Sequence, residues 1–429
     1  MVSKYPVLQV ALDFINLKRA VKAALESVEG GVDWIEVGTP LIKSEGLDSV
    51  RELRKRFPDK KIIADMKVMD TGRFEVEAAS KAGADVVVVL GITDDSTVRE
   101  AVEAGRNYGC EVMADLMNTP DLEKRALELD SLGVDYICVH VSIDQQMSGV
   151  NPLKELSKIA GKTKAQLAIA GGINSEMAAD AVKNGASIVI VGGAITKAVD
   201  ARKATGDIKR AMREKKRVRS ELFKKYTEPG KIFGMVSTAN ISDAMHRGGY
   251  MRGIRLFSGS RFMGTAVTVK TYPGDWAKPV EAIDEAGDGD VIVVDAGATT
   301  RAVWGELASE SCVQKKIAAV VIDGAVRDIG EIRELGFPVC ARDVKPVAGE
   351  PKGMGELNIP VSCGGLTVNP GDWIIGDSDG VVVVSADKAV EIANRALDVY
   401  ERENRVRGEI RGGSTLSSVL EIKRWEKTR

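Results

Sequence analysis

The sequence predicts an α/β protein of two domains, a closed (β/α)8 barrel followed by a second α/β domain with much mixed sheet. Three observations carry this. A chain of 429 residues is long for one ordinary domain and comfortable for two. Through the first half, eight short apolar runs alternate with amphipathic stretches. Beyond a basic stretch that begins at Met212, this alternation stops and a different, strand-rich texture takes over.

The eight runs fall at 8–13, 34–38, 62–67, 86–91, 112–117, 136–142, 166–172 and 188–193. Each is rich in Val, Ile, Leu or Ala, as expected of parallel strands buried on both faces. Helical stretches lie between them, among them 16–29, 97–108 and 177–184. Gly31, Gly83 and Gly133 each open a Gly-Val-Asp or Gly-Ala-Asp triplet before a strand, the pattern of a helix-stopping glycine. An open doubly wound sheet is the alternative, but eight evenly spaced units favour closure. The stretch 212–225 is charged and basic, with Val218, Leu222 and Phe223 at helical spacing, which predicts a solvated helical linker. The expected division is therefore a barrel over 1–212, a linker over 213–232 and a second domain over 233–429. In the second domain a capped helix is expected at 237–245 and strands at 264–270, 291–295, 318–323 and 338–341. More β sequence follows at 359–368 and 373–385, then a long final helix from 386 to about 407.

Composition narrows the function. Sixty basic and sixty-two acidic residues leave a net charge of -2, which argues against a nucleic-acid surface. No stretch approaches the roughly twenty apolar residues of a membrane span, and residues 1–6 lead directly into a strand. The expectation is a cytoplasmic protein without membrane partners. The five cysteines are scattered, with none at metal spacing, and read as buried free thiols. Two histidines leave no room for a His-based metal centre, so an expected metal is a hard cation on oxygen ligands, magnesium or manganese.

In such a barrel the strand C-termini collect the chemistry, and here they carry Asp13, Glu36, Asp65, Lys67, Asp115, His140, Gly171, Gly172, Gly192 and Gly193. Asp65 and Lys67 alternate on an extended chain, which places both on one face, and Asp70 lies just beyond. A lysine held by carboxylates suits stabilisation of an enolate; locally, a solvated charge cluster explains the same residues. Glu36 and Asp65 end neighbouring strands and are placed to share a metal, or to form an ion-pair network with Lys67. His140 is a candidate for proton transfer, or a core histidine capping a strand. The glycine pairs let backbone N–H groups close on a phosphate, although a glycine pair also makes a tight turn.

Asp13 in Ala-Leu-Asp, Glu36 in Glu-Val-Gly-Thr-Pro, Asp65-x-Lys67-x-x-Asp70, His140 and the glycine pairs resemble the orotidine-monophosphate-decarboxylase suprafamily over residues 8 to about 210. Within it the match is to the 3-hexulose-6-phosphate synthase branch, which joins formaldehyde to ribulose 5-phosphate. The 3-keto-L-gulonate-6-phosphate decarboxylase branch, the alternative, carries arginine three residues after the histidine, where this chain has Ile143, and arginine near Gly193. The resemblance implies that Glu36 and Asp65 bind magnesium, Asp13 holds substrate hydroxyls and Lys67 stabilises or protonates the enediolate. It further implies that His140 handles the proton, that Asp115 contacts substrate, and that Asp70 crosses a homodimer interface into the partner's site.

In the second half Asp323-Gly324 runs into Arg327-Asp328, and Gly305-Glu306-Leu307 opens a helix whose amides suit a carboxylate. An Arg-Asp helix start is equally a cap with a salt bridge. With Asp295-Ala296-Gly297, Glu331 and Asp379-Gly380-Val381, these residues resemble the RraA-like group over about 233 to 390. That group has a swivelling β/β/α fold and includes class II 4-hydroxy-4-methyl-2-oxoglutarate aldolases and ribonuclease-E regulators. Its aldolase branch implies a 2-oxo-acid lyase with Asp328 on the metal, Arg327 on the pyruvate enolate, and the amides of Gly305, Glu306 and Leu307 on the pyruvate carboxylate. It also implies trimers. A non-catalytic regulatory or oligomerisation module is the rival reading.

Overall fold

The computed structural model describes residues 6–147, 149–220, 228–420 and 422. The chain divides into two compact units, Met1–Lys225 with Glu401–Arg429, and Tyr226–Tyr400.

The first unit is a closed parallel barrel, the (β/α)8 TIM barrel expected, with strands in chain order: β1 (Val7–Leu12), β2 (Trp34–Val37), β3 (Lys61–Val68), β4 (Val86–Leu90), β5 (Glu111–Asp115), β6 (Tyr136–His140), β7 (Gln166–Ala170) and β8 (Ile188–Val191). Alternate residues point inward and outward. The outward set packs under the helices, while Val7, Ala11, Ile63, Val88, Met113, Cys138, Ala168 and Ile190 fill the interior. Towards the N-terminal end of the strands, Lys61 Nζ stands 4.5 Å from the Trp34 ring centroid and the Tyr136 hydroxyl donates to Glu111 at 3.0 Å. That layer closes the end remote from the site.

The recurring Gly-x-Asp triplets have a double job. Gly31, Gly83 and Gly133 take φ of +94°, +107° and +86°, ending each helix in a conformation that disfavours a side chain. The following aspartates reach back to the preceding strand: Asp33 accepts from Leu8 N at 2.8 Å, Asp85 from Ile62 N at 2.6 Å and Asp135 from Val112 N at 2.8 Å. Each pins the first turn of one strand to the entry of the next. Side chains of Asn16, Asp94 and Asn174 cap the helices Leu17–Glu29, Asp95–Tyr108 and Ser175–Lys183, so the last two begin two residues earlier than their apolar spacing suggests.

Two boundaries differ from expectation. The helix Ala201–Glu214 stops at Lys215, which is left-handed, and residues 216–220 are not helical. They are tied to the barrel instead. Val218 C=O accepts from Ser175 Oγ at 2.7 Å, Ser220 N donates to Glu176 at 3.0 Å, and Arg217 pairs with Asp180 at 2.7 Å. The rest of the expected linker helix, through 225, lies outside the described residues, as do residues 1–5. The long helix Ala389–Arg411 runs on from the second unit, and its part beyond residue 400 belongs with the barrel.

The second unit holds β9 (Arg255–Ser258), β10 (Phe262–Thr271), β11 (Val291–Asp295), β12 (Ala319–Val326), β13 (Val339–Val344), β14 (Gly355–Leu357), β15 (Val361–Cys363), β16 (Leu366–Val368), β17 (Trp373–Asp377) and β18 (Gly380–Val384). The sheet order is β18-β17-β10-β11-β12-β13-β9, with β14 beside β10 and β15-β16 a separate hairpin. Strands β10 to β13 are parallel and their flanks antiparallel, the mixed sheet expected. Ser237 and Asn240 form a capping box on the helix Thr238–Ala244. Asp377 also accepts from Thr238 N at 2.9 Å, and Asp379-Gly380 simply turns β17 into β18.

All five cysteines are free and buried. Among the described residues no helix is long and apolar enough to cross a membrane.

Candidate active site

The barrel's C-terminal mouth gathers the acids, the lysine and the imidazole. Lys67 Nζ lies 3.0 Å from Asp65 Oδ2 and 3.0 Å from Asp115 Oδ2. The same Asp115 oxygen lies 2.8 Å from His140 Nδ1. Asp115 Oδ1 accepts from Met117 N at 2.9 Å, so both oxygens are committed. Asp65 Oδ2 accepts from Thr39 Oγ1 at 2.6 Å, and Glu36 Oε2 from Gln9 Nε2 at 2.6 Å. Asp13 follows β1, with Gly38 and Gly192 on either side: a Cβ at Gly38 would come 2.3 Å from Asp13 Oδ1, and one at Gly192 would meet Oδ2 at 3.5 Å.

Asp65 and Lys67 meet for a reason other than strand alternation. The β3–β4 register shifts between Ala64 and Val68, and Lys67 has φ +48°. The bulge breaks the alternation and turns the amine back onto the carboxylate. A non-glycine residue in this region is strained, and such strain collects at functional sites.

Electrostatics follow from this crowding. Burial opposes charge on Lys67, but Asp115, then Asp65 and Glu36, hold its pKa well above the ordinary lysine value. Burial likewise disfavours the Asp115 carboxylate, yet His140 and Lys67 bring it far below the usual range. His140 is raised, since Asp115 outweighs the effect of burial. Glu36 is pushed up by burial, then by Asp65 and Asp13. Asp13 is pushed up by confinement in the mouth and then by Asp65, although its side chain stays open to solvent.

The glycine pairs end β7 and β8 beside this cluster. Gly171 and Gly172 have φ of +102° and +70°, and a Cβ on Gly171 would approach Val141 O to 2.4 Å. No side chain fits there. Gly193 opens the short helix Gly193–Thr196. Asp70 stands apart from the inner cluster, exposed, its carboxylate accepting from Thr71 N at 2.7 Å. Ile143 is 63% exposed on the segment after β6.

Sequence reasoning missed Gln9, Thr39 and Lys197. Gln9 and Thr39 hold the two acids, and Lys197 lowers Asp13 through its charge. Gln9 carried a signal, a polar residue inside an apolar strand, and Thr39 stands in the Glu-Val-Gly-Thr-Pro motif without a role read from it; Lys197 carried none.

Among the described residues, no three Asp, Glu, His or Cys side chains stand preassembled as a cation cage. The donor chemistry fits a hard cation all the same. Glu36, Asp65 and Asp13 crowd carboxylate oxygens at one mouth, which adds to burial in pushing Glu36 and Asp13 up, and Gln9 Oε1 is buried without a hydrogen-bond partner.

In the second unit, Asp328 takes φ +56° at the start of the helix Ile329–Leu335. Its Oδ2 lies 3.3 Å from Arg327 Nε and accepts from Glu306 N at 3.3 Å. Gly305 caps the helix Glu306–Lys315, and a Cβ there would meet Asp328 Oδ2 at 2.5 Å. Arg327, Asp328 and the Gly305–Leu307 turn thus come together, with Leu307 exposed and Asp328 already on one of the amides. Asp323 instead pairs with Arg342 and accepts from Gly364 N at 2.8 Å, bracing the sheet end.

Residues 6–208 match the Orotidine 5'-phosphate decarboxylase / HUMPS family, and residues 238–383 match the RraA-like family, Aldolase/RraA. Over 194 residues the chain is 45% identical to the 3-hexulose-6-phosphate synthase of Bacillus subtilis, covering 45% of this chain and 92% of the relative. A solved 3-hexulose-6-phosphate synthase from Salmonella typhimurium is 37% identical, covers 49% of this chain and 99% of its own, and has a TM-score of 0.47. The RNA-processing inhibitor RraA from Thermus thermophilis is 30% identical over 34% of this chain and 92% of its own, with a TM-score of 0.33. Through its barrel the chain belongs to the Orotidine 5'-phosphate decarboxylase / HUMPS family, to which an RraA-like domain is fused.

Proposed function

We propose that the barrel is a 3-hexulose-6-phosphate synthase, catalysing the reversible aldol addition of D-ribulose 5-phosphate to formaldehyde. The observation that carries it is the Lys67–Asp115–His140 chain at a barrel mouth where β7 and β8 both end in glycine pairs, in a barrel 45% identical to a named synthase. Asp115 fixes Nδ1 of His140 and leaves Nε2 to take the proton from substrate C1. The resulting enediolate attacks the formaldehyde carbon, one C–C bond forms, and the former carbonyl oxygen collects a proton. Lys67, kept charged by its two carboxylates, donates to the enediolate oxygen. Asp13 receives substrate hydroxyls, and backbone N–H groups of Gly171, Gly172, Gly192 and Gly193 take the phosphoryl group. Magnesium or manganese held by Glu36 and Asp65 would polarise the ketose carbonyl and share the enediolate charge. Asp70, exposed beyond β3, is assigned to a partner's site across a barrel dimer.

The test is formaldehyde release from hexulose 6-phosphate, with and without chelator. Full activity in Lys67→Ala would remove the assigned role. A 3-keto-L-gulonate-6-phosphate decarboxylase is the second reading; Ile143 in place of arginine speaks against it, and carbon dioxide release from the keto-gulonate phosphate would favour it.

For the RraA-like domain we propose a metal-dependent 2-oxo-acid lyase, supported by Asp328, Arg327 and the Gly305–Leu307 turn lying together. Pyruvate release from oxaloacetate or 4-carboxy-4-hydroxy-2-oxoadipate, lost in Asp328→Ala, is expected. Its absence in the unaltered chain leaves a regulatory or assembly module, for which a trimer is expected.

A further inference from the structure

A buried arginine needs every one of its donors satisfied, because an unpaired charge away from water is strongly unfavourable. Arg405 is 8% exposed. Its Nη1 donates to Ala198 O at 2.7 Å and Val199 O at 3.0 Å, and its Nη2 donates to Glu26 Oε1 at 3.1 Å and Oε2 at 3.0 Å. Its Nε donates to Glu409 at 3.2 Å, and Glu409 is tied in turn to Arg19 at 3.3 Å. Three distant stretches therefore meet on one guanidinium: the helix Leu17–Glu29, the turn after β8, and the helix Ala389–Arg411.

The turn is what matters. Gly193–Thr196 is a single helical turn, and its internal bonds run from Ile195 N to Gly192 O at 3.0 Å, Lys197 N to Gly193 O at 3.0 Å and Ala198 N to Ile195 O at 3.1 Å. So short a helix holds its shape poorly without tertiary support. Arg405 takes up the two carbonyls just past its end. Gly408 lets the clamp come close, since a Cβ there would sit 3.3 Å from Val199 Cγ1. Residue 405 lies outside both family-matched regions, which end at 208 and 383.

We infer that Arg405 is a positioning residue for the barrel's phosphate-binding turn, so that the C-terminal segment beyond the RraA-like domain sets affinity for the phosphorylated substrate. The inference rests on the reading that Gly192 and Gly193 receive the substrate's phosphoryl group. Arg405 touches no reacting atom. It fixes where the Gly192–Gly193 amides point, and amide placement to a fraction of an ångström governs binding of a tetrahedral anion.

The test uses the full chain and steady-state kinetics in the synthesis direction, with inorganic phosphate as competing probe. In Arg405→Ala, KM for ribulose 5-phosphate is expected to rise about tenfold, with phosphate inhibition weakened in parallel, while kcat and KM for formaldehyde stay within about twofold. Arg405→Lys, which keeps the charge but loses the fork, is expected to give a smaller rise. Arg407→Ala, on the exposed side of the same helix with Glu403 and Asn404, serves as the control that matches the unaltered chain. Unchanged KM for ribulose 5-phosphate in a folded Arg405→Ala, or equal losses in kcat and both KM values, overturns the inference. If Arg405→Ala does not fold, Arg405→Lys decides by the same criteria. An unaltered chain without turnover or phosphate sensitivity overturns this inference together with the functional reading; normal turnover with an unaffected variant overturns this inference alone.

Discussion

His140 Nδ1 lies 2.8 Å from Asp115 Oδ2, the oxygen that also receives Lys67 Nζ. One carboxylate therefore orients both the imidazole and the amine, and neither can shift without disturbing the other.

That sharing fixes a pH dependence. His140 is raised above its ordinary value by Asp115, and it accepts a proton from C1 only when neutral. The kcat/KM profile for synthesis should rise with pH through this raised value. Asp115→Asn removes the cause, so the limb should move to lower pH while the plateau falls about a hundredfold as both partners lose their alignment. A limb that stays in place would detach it from His140. The linked stability has a definite sign. The His140–Asp115 pair contributes fully below the unfolded histidine pKa of about 6.5 and is lost as pH rises through the higher folded value. In urea titrations at several pH values, the stability gap between the unaltered chain and Asp115→Asn should narrow towards the alkaline side, leaving the share due to the Asp115–Lys67 pair.

Lys67→Ala should reduce turnover by about a hundred- to a thousandfold, the usual effect of removing a charge-stabilising donor. Lys67→Arg should not restore it, because the bulged, left-handed backbone at 67 aims a short ammonium into a space bounded by Asp65 and Asp115. Single-turnover formaldehyde release checks both.

Removing divalent metal should abolish barrel turnover reversibly, with magnesium or manganese restoring it. In Glu36→Gln the concentration of metal needed for half-activity should rise at least about tenfold. Restoration by metal at unchanged concentration in that variant would take Glu36 out of the ligand set.

Gly171→Ala should fail on two counts, since φ is +102° and the new methyl would press on Val141 O. A loss of about 1–3 kcal/mol in unfolding free energy is expected, together with weakened phosphate inhibition. Asp135→Ala tests the scaffold rather than the site. It strands the Val112 amide and should cost about 1–2 kcal/mol in urea unfolding without altering KM.

The eight strands, their closure and the polar rim were legible in the sequence because buried parallel strands must be continuously apolar, and their C-termini are where a barrel can spare polar residues. Local signals also served for the capped helix after Ser237 and for the helix-stopping glycines Gly31, Gly83 and Gly133, whose geometry is set within a few residues; the aspartates that follow them act across strands. The tertiary structure alone decided the rest. The bulge that turns Lys67 onto Asp65 depends on register with β4, and the grip of Thr39 on Asp65 spans two strands. Residues 216–220 read as a helix by their spacing, yet contacts with Ser175, Glu176 and Asp180 hold them against the barrel without helical structure. Arg405 clamps a turn some two hundred residues earlier in the chain. Periodicity records which face of an element is buried; it holds no record of which distant carbonyl or carboxylate will satisfy a buried donor, and that pairing is fixed only when the chain has closed.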